Sequence, residues 1–241
     1  MTQRLDKAVA DKLNTTRSNA KQLIKKGEVC VNSKIVLSPD FKCGDGDLIS
    51  VSGKILSNEE FIYIMMNKPK GVISASDGKG EKTVVDILPD EMKQRNLFPA
   101  GRLDKNTTGF MLITNNGEFA HEILSPKRHI KKTYIALLDK PLDKGVIMDF
   151  ESGMTLGEEK LLPAKLTALN DEKTLAKVVI SQGIFHQIKR MFKKHGIEVL
   201  ELKRTKIGAL PLDESLREGE CRYITQNELE KIKDYNKQED E

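Results

Sequence analysis

Asp104 stands in the segment Gly101-Arg-Leu-Asp-Lys-Asn-Thr-Thr-Gly109, a polar loop between two glycines, with the apolar run Phe110 to Ile113 directly after it. A carboxylate on a loop anchored to a rigid strand is placed to act as a nucleophile or a general base. Taken alone, the same loop is better read as a turn, because Asp side chains bond readily to their own backbone. Two further segments weigh against that plain reading. Lys132-Thr133-Tyr134 offers a phenol, and Gly183-Ile-Phe-His186-Gln187-Ile188-Lys189-Arg190-Met191-Phe192 offers two cations beside a histidine. Metal chemistry is not expected. His121, His129, His186 and His195 are scattered, and Cys30, Cys43 and Cys221 are odd in number with no Cys-x-x-Cys pair. The thiols read as reduced and cytosolic.

These groups are far apart along the chain, so folded elements must bring them together. Phe61 to Met66 reads as a buried strand stopped by Asn67-Lys68-Pro69-Lys70-Gly71, where Pro-x-Gly calls for a tight turn. Thr83 to Leu88 is expected to be a short helix ended by Pro89. Phe110 to Thr114 reads as a strand, and Gly117 to Leu124 as a helix ended by Pro126. Thr133 to Leu138 and Leu175 to Ile180 read as strands, Phe185 to His195 as a helix stopped by Gly196, and Val199 to Arg204 as another strand. Thr225-Gln-Asn-Glu228 has the form of a capping box opening a last helix, and Lys237 to Glu241 reads as a disordered tail. Strands outnumber helices and the spacings are hairpin-like. The expected class is α+β, with a mostly antiparallel mixed sheet and flanking helices.

The chain has 241 residues and a formal charge of +4, enough length for one large domain or two unequal ones. No apolar run reaches the roughly 18 residues of a membrane span, and no secretory signal is expected, since no apolar block follows the first charges. The basic excess is local. Residues 1–34 carry eight Lys or Arg against three Asp or Glu, and the remainder sums to −1. Such a patch suits a polyanion whose phosphates give salt-sensitive affinity. Leu5, Ala8, Val9 and Leu13 recur at helical spacing, Asn14 and Thr15 break the pattern, and Thr16 can cap a second helix that ends before Gly27. Arg17, Lys21 and Lys25 form one cationic ridge on that helix, and their mutual repulsion favours an anion bound there. An ordinary solvated lysine face is an equally good account of the ridge alone. Short strands follow at Glu28–Asn32, with a turn at Asn32-Ser33, and at Leu48–Val51. This layout, with Arg17-Ser-Asn-Ala20 and Gly27-Glu-Val29-Cys-Val31-Asn32, resembles the S4 RNA-binding domain over about 55 residues. Ser52 to Glu60 reads as a linker, giving domains at 1–56 and 61–236.

The Arg102-Leu103-Asp104 loop with Thr107-Thr108-Gly109, Lys132-Thr133-Tyr134, the 183–192 segment and Asn67-Lys68-Pro69-Lys70-Gly71 together resemble the RsuA/RluB/RluE/RluF family of bacterial ribosomal RNA pseudouridine synthases. The resemblance extends over nearly the whole chain, through Leu202-Lys203-Arg204, Ile207-Gly208 and Arg222-Tyr223-Ile224-Thr225. It implies isomerisation of uridine: the glycosidic bond breaks, the uracil turns and is rejoined through carbon, with no cofactor or metal. It further implies Asp104 as the reacting carboxylate. That group would attack the ring or the anomeric carbon, or first remove a sugar proton. By the same resemblance Lys189 pairs with Asp104, with Arg190 as the substitute if the register is off by one. Tyr134 stacks on the uracil and helps move the ring proton, Arg102 reaches into the RNA to displace the base, and Leu200 floors the uracil pocket. Without the family, Tyr134 and Leu200 would pass for core residues and Lys189 for a solvated lysine.

In one place the chain departs from the pattern. An acidic residue, Gly and a basic residue usually precede the His-Gln segment; here the sequence is Gln182-Gly183-Ile184, so an RNA contact is expected to be missing. Phe98-Pro99-Ala100 and Leu202-Lys203-Arg204 resemble the small-subunit (16S) branch most. The expected protein is a monomeric cytoplasmic enzyme acting on 16S ribosomal RNA or an assembling subunit. Its alternatives are a large-subunit (23S) synthase and a non-catalytic RNA-binding or ribosome-assembly protein. A carboxylate glycosidase would need a second acid near Asp104, and no motif supplies one.

Overall fold

The computed structural model describes residues 2–13, 15–44, 46–56, 61–94, 96–125 and 128–233. The expected break at Asn14, the stop at Pro126, the end of the linker at 57–60 and the tail at 237–241 lie outside these residues. The chain divides into two compact units, one of residues up to 61 with 94–96, the other of 62–93 and everything from 97 on.

The first unit runs β1 (Thr2–Arg4), α1 (Leu5–Lys12), α2 (Arg17–Lys25), β2 (Val29–Val31), β3 (Lys34–Ile35), β4 (Lys42–Gly44), β5 (Ile49–Val51) and β6 (Lys54–Leu56). Thr16 caps α2 by accepting a hydrogen bond from the Asn19 amide at 3.2 Å. At the other end Gly27 takes φ +77, and the amides of Gly27 and Glu28 bond back to Ile24 and Leu23. That is the left-handed close which glycine permits. Asn32 and Ser33, both at positive φ, turn β2 into β3. Four of these strands lie in the order β3-β2-β5-β6, and β1 pairs with β4. Part of the expected linker is therefore structured: Ser52 and Gly53 make a second tight turn, and 54–56 pair with β5. Leu5, Ala8, Val9, Ala20, Ile24, Val29, Val31 and Ile49 form the core.

The second unit contains β7 (Tyr63–Lys68), β8 (Phe98–Pro99), β9 (Thr108–Thr114), α3 (Gly117–Leu124), β10 (Lys132–Leu138), α4 (Lys144–Ser152), β11 (Thr155–Leu156), β12 (Glu159–Lys160), β13 (Lys165–Ala168), β14 (Leu175–Ile180), α5 (Gln187–Lys194), β15 (Val199–Ile207), β16 (Leu210–Pro211), β17 (Cys221–Tyr223) and α6 (Gln226–Lys233). Its sheet has the order β13-β14-β10-β15-β9-β7-β17. Every pair is antiparallel except β15 with β9, which makes the sheet mixed. Both faces are covered. Ile64, Met66, Met111 and Ile113 pack with Phe150 of α4 and Ile188, Met191 and Phe192 of α5. Met65, Phe110 and Leu112 pack with Phe119 of α3 and Leu229 and Ile232 of α6. Burial on both sides is why β7 and β9 read as unbroken apolar runs.

The expected helix at 83–88 is not formed. Thr83 and Asp86 instead exchange backbone and side-chain hydrogen bonds at 2.8 and 3.1 Å, closing a single turn before Pro89. The capping box is present: Glu228 accepts from the Thr225 amide at 2.9 Å and Thr225 Oγ1 from the Glu228 amide at 3.4 Å. Helix α4 went unread in the sequence although its signals are local. Asp143 caps the Val146 amide at 2.9 Å, and Val146 and Phe150 share its buried face.

Candidate active site

The loop that carries Asp104 is tied down at Leu103, Asp104, Lys105 and Thr107. Ser74 Oγ accepts from the Leu103 amide at 3.0 Å and donates to the Leu103 carbonyl at 2.9 Å. The Gly71 amide, at a turn with φ +81, donates to the Lys105 carbonyl at 2.9 Å, and the Thr107 amide to the Asp104 carbonyl at 3.0 Å. Beneath these bonds lies Lys68, the last residue of β7, with 0% of its surface exposed. Its ammonium donates to the carbonyls of Pro69, Lys105 and Thr107 at 3.0, 3.1 and 3.0 Å. The loop then enters β9 at Gly109. A Cβ there would lie 2.2 Å from the Arg204 carbonyl oxygen, so only glycine lets β9 and β15 pair in parallel.

Across this end of the sheet one row of paired residues reads Lys68, Gly109, Arg204, Tyr134. The Arg204 side chain is buried, and its Nε donates to the Phe110 carbonyl at 2.7 Å. Helix α5 supplies the opposing side. Its buried face holds Ile188, Met191 and Phe192, with Phe192 against Phe150 of α4 at 4.8 Å between ring centroids. That packing leaves Lys189 free to reach the loop. Lys189 Nζ lies 2.9 Å from Asp104 Oδ2, and His186 Nε2 lies 3.4 Å from Oδ1. Asp104 sits in an open cleft lined by Arg102, Tyr134, Ile184, Lys189 and Leu202 among others. It is the one carboxylate among the described residues lining that cleft.

The structure thus brings Asp104, Lys189, Tyr134 and Arg102 together. Arg190, the alternative partner, faces elsewhere: Nη1 pairs with Glu159 Oε2 at 2.7 Å, tying α5 to the β11–β12 hairpin. Leu200 is displaced from its expected role. It is 55% exposed and does not line the cleft, whereas Leu202, two residues on and buried, does. In the departing segment, Gln182 Oε1 accepts from the Leu162 amide at 2.8 Å, and Ile184 presents an apolar side chain to the cleft. On α2, Arg17, Lys21 and Lys25 are exposed. Lys21 Nζ comes within 3.8 Å of the buried Asp6 carboxylate, which Arg4 holds through two hydrogen bonds of 3.1 Å. Those bonds, and then the charges of Arg4 and Arg17, keep the Asp6 carboxyl below its ordinary value. The ridge is less self-repelling than its spacing alone implies. Among the described residues no group of three His, Cys, Asp or Glu gathers to hold a metal ion.

Sequence reasoning missed Lys68, Ser74 and His186 as supports of the loop. The available signal was a lysine continuing the apolar run of β7 into a tight turn. Burial pushes the Lys68 ammonium down to about 8, with the Asp104 charge opposing the shift. The folded chain therefore sheds this proton before the unfolded chain does, and stability attributable to Lys68 rises between pH 8 and about 10.5. Lys68→Met should remove that rise, so that the stability gap between wild type and variant widens across the window in denaturant titrations. It should also speed hydrogen exchange at the Gly71 and Thr107 amides on the order of tenfold, because the Pro69, Lys105 and Thr107 carbonyls lose a shared donor. Unchanged exchange at both amides would show that the loop holds its shape without Lys68.

Residues 62–194 match the RNA pseudouridylate synthase family, and residues 3–49 match the S4 domain. The uncharacterized RNA pseudouridine synthase YtzG of Bacillus subtilis is 40% identical over 230 residues, covering 94% of this chain and 96% of its own. Ribosomal small subunit pseudouridine synthase A of Vibrio cholerae is 39% identical over 231 residues, covering 95% and 99%. Ribosomal large subunit pseudouridine synthase B of Bacillus subtilis is 38% identical over 236 residues, covering 96% of each. A crystal structure of a pseudouridylate synthase superposes with a TM-score of 0.68 at 38% identity, covering 95% of this chain and 99% of that one. The chain belongs to the RNA pseudouridylate synthase family, a family of isomerases, and carries an S4 domain ahead of its synthase domain.

Proposed function

We propose that this protein converts a uridine of 16S ribosomal RNA to pseudouridine, with Asp104 as the carboxylate that acts on the nucleoside. The observation that carries the reading is the 2.9 Å contact between Lys189 and Asp104 inside a cleft lined by Tyr134. A carboxylate covered by a stacked base loses hydration, which disfavours its charged form, and an ammonium at hydrogen-bond distance opposes that loss. Tyr134, buried on β10, offers a ring to the uracil and a hydroxyl for proton movement. Arg102, exposed at the cleft, is placed to enter the RNA where the base leaves it. Extruding the nucleotide costs a few kcal/mol, less in a loop or bulge than in a duplex. A single acid in the cleft speaks against a glycosidase, which works with two.

The choice of 16S rests on Phe98-Pro99-Ala100 and Leu202-Lys203-Arg204. Large-subunit RNA is the second reading, favoured by the 38% identity to a large-subunit synthase. Pseudouridine mapped in both ribosomal RNAs of a strain lacking the protein should show one site lost from 16S; a site lost from 23S alone would replace the 16S assignment. Complementation with Asp104→Asn should leave that site unmodified, while the purified variant binds the RNA within about twofold of wild type, because the carboxylate acts on the bond and adds little to docking. Ready restoration of the modification by that variant would falsify the role given to Asp104.

The S4 unit contributes the electrostatic part of binding. Replacing Arg17, Lys21 and Lys25 together by Ala should weaken RNA binding and flatten the dependence of log K on log[salt] by about 2. The change stays short of three full contacts because Lys21 is shared with Asp6. A salt slope identical to wild type would make the ridge plain solvated surface.

A further inference from the structure

Phe185 is 73% exposed, although Ile184 before it and His186 after it both line the cleft. Its ring lies flat on the His186 imidazole, with 3.8 Å between centroids and 16° between planes. The imidazole in turn places Nε2 3.4 Å from Asp104 Oδ1. His186 holds φ 50 and ψ 30, a left-handed conformation that a side chain disfavours, directly before α5. A single exposed apolar side chain is ordinary. This one differs in being fixed: one face is covered by the imidazole, the other is open, and the stack ends on the reacting carboxylate. Strained backbone that lines up two rings with a site's central group points to a use for the alignment.

We infer that the open face of Phe185 is a stacking platform for a nucleobase flanking the uridine that enters the cleft. The inference rests on the synthase reading above and extends it to the neighbouring nucleotide. When one base is extruded, its neighbours in the strand lose a stacked face, which is much of what flipping costs. An aromatic ring beside the vacated place gives one of those neighbours a new partner. Stacking of this kind tolerates any base, since each has a π face. Phe185 thus helps to choose the local RNA shape rather than its sequence.

The test uses the RNA hairpin that carries the mapped uridine, intact or with an abasic residue on either side of the target. Phe185→Ala should raise KM for the intact hairpin about tenfold with kcat within about twofold, and Phe185→Tyr should restore the wild-type value. One of the two abasic hairpins should raise the wild-type KM to the Phe185→Ala level and leave that variant unaffected. The chain contains no Trp, so Phe185→Trp adds a single reporter. Its fluorescence should be quenched by the intact hairpin and far less by that abasic one. A wild-type KM for Phe185→Ala, or an effect undiminished on both abasic RNAs, overturns the platform while leaving the role of Asp104 standing. The fluorescence measurement needs no turnover. Equal quenching by all three hairpins therefore rejects the platform even if the wild type failed to isomerise the RNA.

Discussion

The contact between Lys189 and Asp104 joins two segments 85 residues apart in sequence, a loop entering a central strand and a helix crossing above it. Both side chains are about one-third exposed or less, at 32% and 27%. A pair so close to solvent contributes little to stability, with a typical value of 0–1 kcal/mol. The arrangement that forms it is nonetheless extensive: a parallel strand pair that requires Gly109, and a helix anchored by Phe192 against Phe150. Structure on that scale around a pair of small energetic weight supports a role for the pair in chemistry.

Rigidity on the loop side comes from backbone groups that are satisfied from below. Lys68 donates to three carbonyls, and Ser74 engages both the amide and the carbonyl of Leu103. Burying an ammonium with no carboxylate in direct contact is costly, and its depressed pKa is the measure of that cost. Arg204 is buried close by, and its Nη2 has no hydrogen-bond partner among the described residues. Lys189 contacts the carboxylate directly and Lys68 adds a positive charge nearby, so a base entering the cleft would meet an anion already charge-compensated. Preorganisation of this kind lowers the reorganisation needed during reaction.

Features written in local hydrogen bonds were legible in the sequence. Thr16 and Gly27 bound α2 where expected, and Thr225 and Glu228 open α6, because each depends only on residues within one turn. The same logic failed at 83–88, where Thr83 and Asp86 satisfy each other and no second turn follows before Pro89. The mixed sheet was legible as a class, because strands outnumber helices in the pattern and their spacings are hairpin-like. The parallel β9–β15 pair was not, because nothing local in Gly109 says which backbone approaches it. The grouping of Asp104, Tyr134 and Lys189 came from family resemblance alone; no spacing rule links positions so far apart. Leu200 came from the resemblance; the pairing of β15 with β10 shifts register beside it, and it is Leu202 that packing buries at the cleft. Lys68 escaped notice since lysine is ordinarily a surface residue, and its place at the end of an apolar run was the one local sign of burial.

The ammonium at position 189 either serves the carboxylate during reaction or only accompanies it. Single-turnover pseudouridine formation, measured at saturating RNA for wild type and Lys189→Met, separates these cases. A supporting cation predicts a rate lowered about hundredfold or more with RNA affinity within about twofold of wild type. A Lys189→Met protein that forms pseudouridine at the wild-type rate would contradict the account.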